Sequence, residues 1–221
     1  MSNEIKEMWN IKNLIPGDYI KGEDREVVEN EKKAERVRKF DRFKKSNFPE
    51  KYYGVNLEDL SEQQKNIARP FLTMVRANTI TSLWLCGKAG TGKTCLASAI
   101  CKEACFFDKS VYYIKSHIIT EKLKKNQISI DSLIYELKQN DIVVIDEVGR
   151  YPLAEWESYY LFLFMDELYN KGISVIMISN LEKNRLGELL GAACVDRFRG
   201  IAHSFEFNYE SYRGSKNELY V

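Results

Sequence analysis

Lys93, Thr94, Asp146 and Glu147 are the side chains whose types and spacing carry chemistry in this chain. Lys93 and Thr94 close "GKAGTGKT", where Gly87 is followed by four residues and then Gly92-Lys93-Thr94. That spacing fits the G-x-x-x-x-G-K-[ST] phosphate loop without slippage. Glycines let a backbone fold around an anion, so that successive N–H groups point inward at phosphate oxygens. The helix that follows adds its positive end, Lys93 a full charge, and Thr94 a hydroxyl for Mg²⁺. The bland alternative, a flexible surface turn, does not account for the fixed spacing. The whole loop (Gly87, Lys88, Ala89, Gly90, Thr91, Gly92, Lys93, Thr94 and Cys95) is therefore expected to hold the phosphates of a nucleoside triphosphate.

Asp146 and Glu147 sit in "IVVIDEVG", four apolar residues running into paired acids. Downstream of a phosphate loop, Asp146 is expected to order the Mg²⁺ shell together with Thr94, and Glu147 to polarise an attacking water. A carboxylate directly after the metal-ordering aspartate suits hydrolysis better than transfer to a small acceptor. "VIMISN" ends a third apolar run on Asn180, whose amide at a strand end can reach the terminal phosphate or the water. Arg197 and Arg199 in "CVDRFRG" and Arg213 in "NYESYRG" read, each by itself, as surface arginines.

These residues must be held by an α/β frame. "ITSLWLC", "VYYIK", "DIVVID", "VIMISN" and "AHSFEF" read as strands, with helical patterns between most of them. Strands alternating with helices imply a parallel sheet covered on both faces, with ligands beyond the carboxyl ends of the strands. "LEDLSEQQKNIARPFLTMVRAN" reads as a helix interrupted near Pro70. "LAEWESYYLFLFMDELYNKG" is a helix apolar almost all round, so that some of Trp156, Tyr159, Phe162 and Phe164 must pack in the core.

Residues 1 to about 50 differ in texture. "EDREVVENEKKAERVRKFDRFKKS" reads as one charged helix ended by Asn47 and Pro49, acidic at its start and basic at its end. A solvated helix leaning on the core and a docking arm for a partner are both open for it. A second basic cluster, Lys122, Lys124 and Lys125, lies in "SHIITEKLKKNQISIDSLIYELKQN". A formal net charge of +1 gives no global pull toward nucleic acid, so any such contact must be local. The length of 221 residues suits one ordinary domain with a small appendage. No apolar run is long enough to span a bilayer and the start lacks a signal-peptide pattern, so a cytoplasmic location is expected. The five cysteines (Cys86, Cys95, Cys101, Cys105, Cys194) form no C-x-x-C pair and read as buried thiols; the isolated His117 and His203 receive no catalytic role.

Taken in order, "NFPEKYYGVNLEDL", "GKAGTGKT", "IVVIDEVG", "VIMISNLEKNRLGELLG", "VDRFRG" and "FNYESYRG" resemble the AAA+ ATPase core of the DnaC/DnaI helicase loaders. The related IstB transposition ATPases share most of these motifs. The likeness covers about residues 48 to 214, and its latter motifs are more specific than the first two. It implies a three-layer AAA+ P-loop core with a five-stranded, mostly parallel sheet at 51–221. The short helical arm at 1–50 is read from the break in composition as a partner-docking segment, and the family's helicase-choosing adaptor is not carried over to it. The resemblance also implies ATP and Mg²⁺ as ligands, Asn180 as sensor 1, Arg197 as an arginine finger acting across a self-association contact, and Arg213 as sensor 2. The region after the phosphate loop would supply an extra helix lining a DNA channel, with Lys122, Lys124 and Lys125 as its basic cluster; a solvated face remains the alternative.

The expected function is that of a slow ATPase, a switch that helps place a hexameric, ring-shaped replicative helicase on single-stranded DNA. An IstB-type transposition helper acting with a transposase on duplex DNA is the first competitor. A non-hydrolysing nucleotide-dependent adaptor is opposed by Glu147, and a small-molecule kinase by the absence of an arginine-rich acceptor lid. The chain departs from many relatives in having no cysteine before Cys86, so no zinc-binding segment is expected there; with its end soon after Arg213, the helical lid of larger AAA+ proteins is not expected, as is usual in these loaders. A short arm in place of a zinc module would suit a loader encoded by a phage or mobile element.

Overall fold

The computed structural model describes residues 22–125, 129–150 and 155–211. Five strands, β1 (Ser82–Gly87), β2 (Val111–Lys115), β3 (Ile142–Val148), β4 (Ser174–Ser179) and β5 (Ala202–Phe207), form one sheet in the order β2–β3–β4–β1–β5. Every neighbouring pair is parallel. The sheet is thus wholly rather than mostly parallel, as expected where each strand is followed by a helical crossover. Central strands β1 and β4 are buried along their whole length, and edge strand β5 exposes His203 and Glu206. Continuous apolar runs in the middle and charge at the rim keep the edge from pairing with another sheet.

Side chains alternate across each strand, so one sheet builds two cores. Leu83 and Leu85 of β1 join Val144, Ile176 and Ile178 beneath α2 (Glu62–Arg76) and α3 (Lys93–Phe106). Trp84 and Cys86 turn the other way with Val143, Ile145, Val175 and Met177. That second face is covered by α4 (Ser116–Lys124), α5 (Ile130–Leu137), α6 (Glu155–Asn170), α7 (Lys183–Leu190) and α8 (Ala192–Phe198). Helices, sheet and helices make three layers.

The helix α1 (Gly22–Lys44) ends as the sequence signals, before Asn47 with φ 65. The chain divides into two units, Met1–Arg38 and Lys39–Val221. The larger unit begins at Lys39 instead of near residue 51, because Phe43 and Phe48 are buried in its core. α2 does not break at Pro70. Ser61 caps it with a capping box to Gln64, and Ile67, Ala68, Phe71, Leu72 and Val75 bury a stripe on both sides of the exposed proline. That burial, about 1.5–3 kcal/mol for each large side chain, offsets the backbone bond that proline removes.

Of the α6 aromatics, Phe164 is fully buried, whereas Tyr159 is 58% exposed. Cys86, Cys101, Cys105 and Cys194 are buried and unbridged, and burial pushes the Cys105 thiol up to about 12. Among the described residues no helix is long and apolar enough to cross a membrane.

Candidate functional site

With β3, β4 and β1 side by side, the strand order sets three carboxyl ends against one another. The phosphate loop leaves β1, Asn180 follows β4, and Asp146 and Glu147 end β3. A cleft of about 1320 Å³ opens there, lined by Ala89, Gly90, Gly92, Lys93, Thr94, Cys95, Asp146, Glu147 and Asn180. Residues between Pro49 and Gln64, including Tyr52, Val55 and Leu60, also line it.

The loop is pinned at its base. Gly87 N–H donates to Leu181 O at 2.9 Å and Lys88 N–H to Phe207 O at 3.0 Å. Gly87 has φ 104, and a Cβ there would lie 2.6 Å from the Phe207 carbonyl oxygen, so no other residue fits without moving β5. Gly90 and Gly92 also take positive φ, which turns the loop back onto the start of α3. Lys93 is 5% exposed and donates from Nζ to the carbonyls of Gly87 at 2.7 Å and Lys88 at 2.6 Å. Its ammonium is thereby fixed at the loop mouth, where an anion gains most from it.

Asp146 is 6% exposed and takes three neutral donors. Thr94 Oγ1 and the Tyr113 hydroxyl donate to Oδ2 at 3.1 and 2.8 Å, and the Glu147 N–H donates to Oδ1 at 2.7 Å. Burial raises its carboxyl above the ordinary carboxylate value, against these bonds, which lower it. Burial and Asp146 together push the Tyr113 hydroxyl far up, so it stays a donor.

Glu147 has different company. The β3–β4 pairing slips between Ile145 and Val148, and Glu147 adopts φ 60. Such a bulge re-aims a side chain beside a site, at a backbone cost of about 1–2 kcal/mol. Glu147 Oε1 meets Arg150 at 2.6 Å and Lys115 Nζ at 3.3 Å, and Oε2 lies 3.7 Å from His117 Nδ1. Among the described residues neither Oε2 nor His117 Nδ1 has a hydrogen-bond partner, although both are buried.

Tyr113, Lys115 and Arg150 carry no motif in the sequence, and His117, read there as isolated, lies beside Glu147. Lys115 pairs in register with Asp146, which only the adjacency of β2 and β3 reveals. Arg150, three residues after Glu147, was the legible signal.

The other expected site residues lie apart from this cleft or outside the described residues. Arg197, in the last turn of α8, is absent from the cleft lining and forms an ion pair with Asp166 of α6. Arg199 pairs with Asp196. Arg213 lies outside the described residues. Lys122 is half-buried, Lys125 pairs with Glu121, and Lys124 Nζ sits 5.4 Å from the centre of the Trp156 ring. Two helices, α4 and α5, stand where one extra helix was expected.

Among the described residues no group of three or more His, Cys, Asp or Glu could hold a metal. One buried carboxylate beside a hydroxyl is the donor set that suits Mg²⁺ brought in by phosphate oxygens, which needs only one or two protein carboxylates. The residues fit the group.

Known proteins share this fold. The DnaI crystal structure superposes with a TM-score of 0.62 at 18% identity, covering 75% of this chain and 94% of that one. The DnaC helicase loader gives 0.60 at 19%, covering 72% and 100%. In sequence, the replicative helicase loader DnaC of Escherichia coli K12 is 32% identical over 139 residues, 61% of this chain and 57% of the relative. The chain thus matches just over half the length of that relative. The ATP-binding protein of insertion sequence IS5376 from Geobacillus stearothermophilus is 28% identical over 160 residues, 68% of this chain and 62% of the relative. The family model described as IstB-like ATP binding protein matches residues 22–219, nearly the whole chain. With a three-layer AAA+ P-loop ATPase fold and a family model spanning all its motifs, the chain belongs to the IstB-like ATP binding protein family.

Proposed function

We propose that this protein is an ATP-dependent helicase loader of DNA replication, which binds ATP with Mg²⁺ and helps place a ring-shaped replicative helicase on single-stranded DNA. The observation that carries the reading is the convergence of Lys93, Thr94, Asp146, Glu147 and Asn180 on one cleft in a chain similar to DnaC. The loop from Gly87 to Cys95 would wrap the phosphates, and the lining residues from Tyr52 to Gln64 would face the nucleoside. Thr94 and Asp146 would hold Mg²⁺, which when bound neutralises charge between the terminal phosphates. Glu147 would accept the proton of the attacking water while Asn180 orients it. Arg197 would reach the cleft of a neighbouring subunit and Arg213 would act as the second sensor.

The contact between Lys124 and Trp156 supports a path for single-stranded DNA across α4 and α6. Base stacking on an aromatic ring contributes about 1–3 kcal/mol and tolerates any sequence. The N-terminal arm would choose the helicase, and the protein would act in the cytoplasm.

A transposition helper acting on duplex DNA is the second reading, favoured by the insertion-sequence relative. Helicase loading and transposase assistance separate in one experiment. The purified chain is immobilised with ATP and Mg²⁺ and offered, in turn, the replicative helicase and any IS21-type transposase of its host. Retention of the helicase and its ATP-dependent transfer to circular single-stranded DNA is the expected result. Retention of the transposase alone contradicts the loader reading.

A further inference from the structure

We propose that Tyr113 is a positioning residue for the metal-ordering carboxylate Asp146, and that the root of the N-terminal arm, Phe43 to Phe48, holds Tyr113 in place. The inference rests on reading Thr94 and Asp146 as the Mg²⁺ corner of the ATP site.

Tyr113 lies on edge strand β2 with its ring in the α2–α3 core, 6% exposed. An apolar side chain would serve that core as well; a hydroxyl there must find an acceptor. Among the described residues it finds Asp146 Oδ2, at 2.8 Å, the oxygen that also takes the Thr94 hydroxyl. With the Glu147 N–H on Oδ1, donors from β2, α3 and β3 fix the plane of the carboxylate. Rotation of that plane would move Oδ2 away from Thr94. Groups that hydrogen-bond a metal-holding carboxylate typically change metal affinity or activity about 10- to 100-fold when removed.

The arm root fixes Tyr113 twice. Its N–H donates to Ser46 O at 2.7 Å, which covers the open edge of β2. Its ring packs on Phe48 with centroids 4.5 Å apart, and Phe48 packs on Phe43 at 5.4 Å. Ser46 is itself buried and donates its hydroxyl to Phe43 O at 2.5 Å. The path from Phe43 through Phe48 and Tyr113 to Asp146 is made of direct contacts. The segment where the arm joins the core is therefore part of the support of the metal corner.

The test uses the full chain and a fluorescent ATP analogue titrated in EDTA and at rising Mg²⁺. Tyr113→Phe keeps the ring and removes the hydroxyl. It should raise the Mg²⁺ concentration at the midpoint of tight binding about tenfold, leave binding in EDTA unchanged, and leave the melting temperature close to that of the wild type. Phe48→Leu keeps the hydroxyl and loosens the ring, and should shift the midpoint in the same direction by a smaller factor. A wild-type midpoint in Tyr113→Phe, or equal loss with and without Mg²⁺, overturns the positioning role. An unshifted Phe48→Leu removes the arm root from it. If the wild-type chain itself gains nothing from Mg²⁺, the ATP–Mg²⁺ reading of the corner falls first, so the two failures are distinguishable.

Discussion

The cleft at the ends of β1, β3 and β4 and the outer face of α4, α6 and α8 use charge in opposite ways. In the cleft, Lys93 and Asp146 are nearly out of solvent and are held by neutral hydrogen-bond partners on neighbouring strands and loops. On the outer face, Lys125, Arg197 and Arg199 are well exposed and paired with Glu121, Asp166 and Asp196 of their own chain. Exposed ion pairs such as Lys125–Glu121 and Arg199–Asp196 contribute about 0–1 kcal/mol, whereas Asp166, the partner of Arg197, is largely buried. A single subunit thus brings the side chains of the nucleotide cleft together by itself, whereas in the proposed function the outer face works only against a docked partner. Glu147 stands between the two regimes, inside the cleft but ringed by Arg150, Lys115 and His117.

If the cleft is self-contained, its two key charges fail in different ways. Glu147→Gln should bind ATP–Mg²⁺ within about twofold of the wild type and hydrolyse it about 10²- to 10⁴-fold more slowly, the usual scale for loss of a general base. Lys93→Ala should instead weaken ATP itself about 10- to 100-fold, because hydrogen bonds to a charged group contribute about 1.5–3 kcal/mol in the ground state. Titration with a fluorescent ATP analogue, followed by phosphate release, separates the two. Equal loss of binding in both variants would erase the distinction between cleft roles.

Removing residues 1–38 should abolish helicase capture and leave ATP binding intact, since the larger unit starts at Lys39. A cut at residue 50 also removes Phe43 and Phe48, and truncating buried aromatics costs about 3–5 kcal/mol each. The longer deletion should therefore lower the melting temperature sharply. A short truncation that still co-elutes with the helicase would end the docking reading of the arm.

On the outer face, changing Lys122, Lys124 and Lys125 to Ala should lower the log–log salt slope of single-strand binding by about 0.7 for each phosphate no longer neutralised. An unchanged slope returns these lysines to solvent. Smallest of all should be the effect of thiol reagents on the native fold. Half-buried Cys95 in the cleft should react and be protected by ATP, while Cys101 and Cys105, whose burial raises their pKa, stay silent.

What could be read from the chain follows the same division. Phosphate loops and strand-end acids are local patterns, so Lys93, Thr94, Asp146, Glu147 and Asn180 were legible before any fold. The central strands β1, β3 and β4 were legible because buried parallel strands are apolar with little interruption. Tyr113, Lys115 and His117 were not, because their nearness to Asp146 and Glu147 depends on β2 lying beside β3, a fact of sheet order and register. The unbroken α2 escaped for a related reason. Pro70 is a local breaker, and the burial on either side that overrides it exists only once α2 packs on α3 and the sheet.

In the proposed function one subunit should bind ATP alone but turn it over only with a neighbour's Arg197. Glu147→Gln protein lacks the base and keeps the arginine; Arg197→Ala protein has the reverse. Each alone should bind ATP–Mg²⁺ and hydrolyse it poorly, arginine fingers in GTPases being worth about 10³- to 10⁵-fold. Phosphate release measured across mixing ratios should rise above both parents, at contacts that join an intact Glu147 to a partner's intact Arg197. No recovery at any ratio, in mixtures that demonstrably co-assemble, would contradict the account.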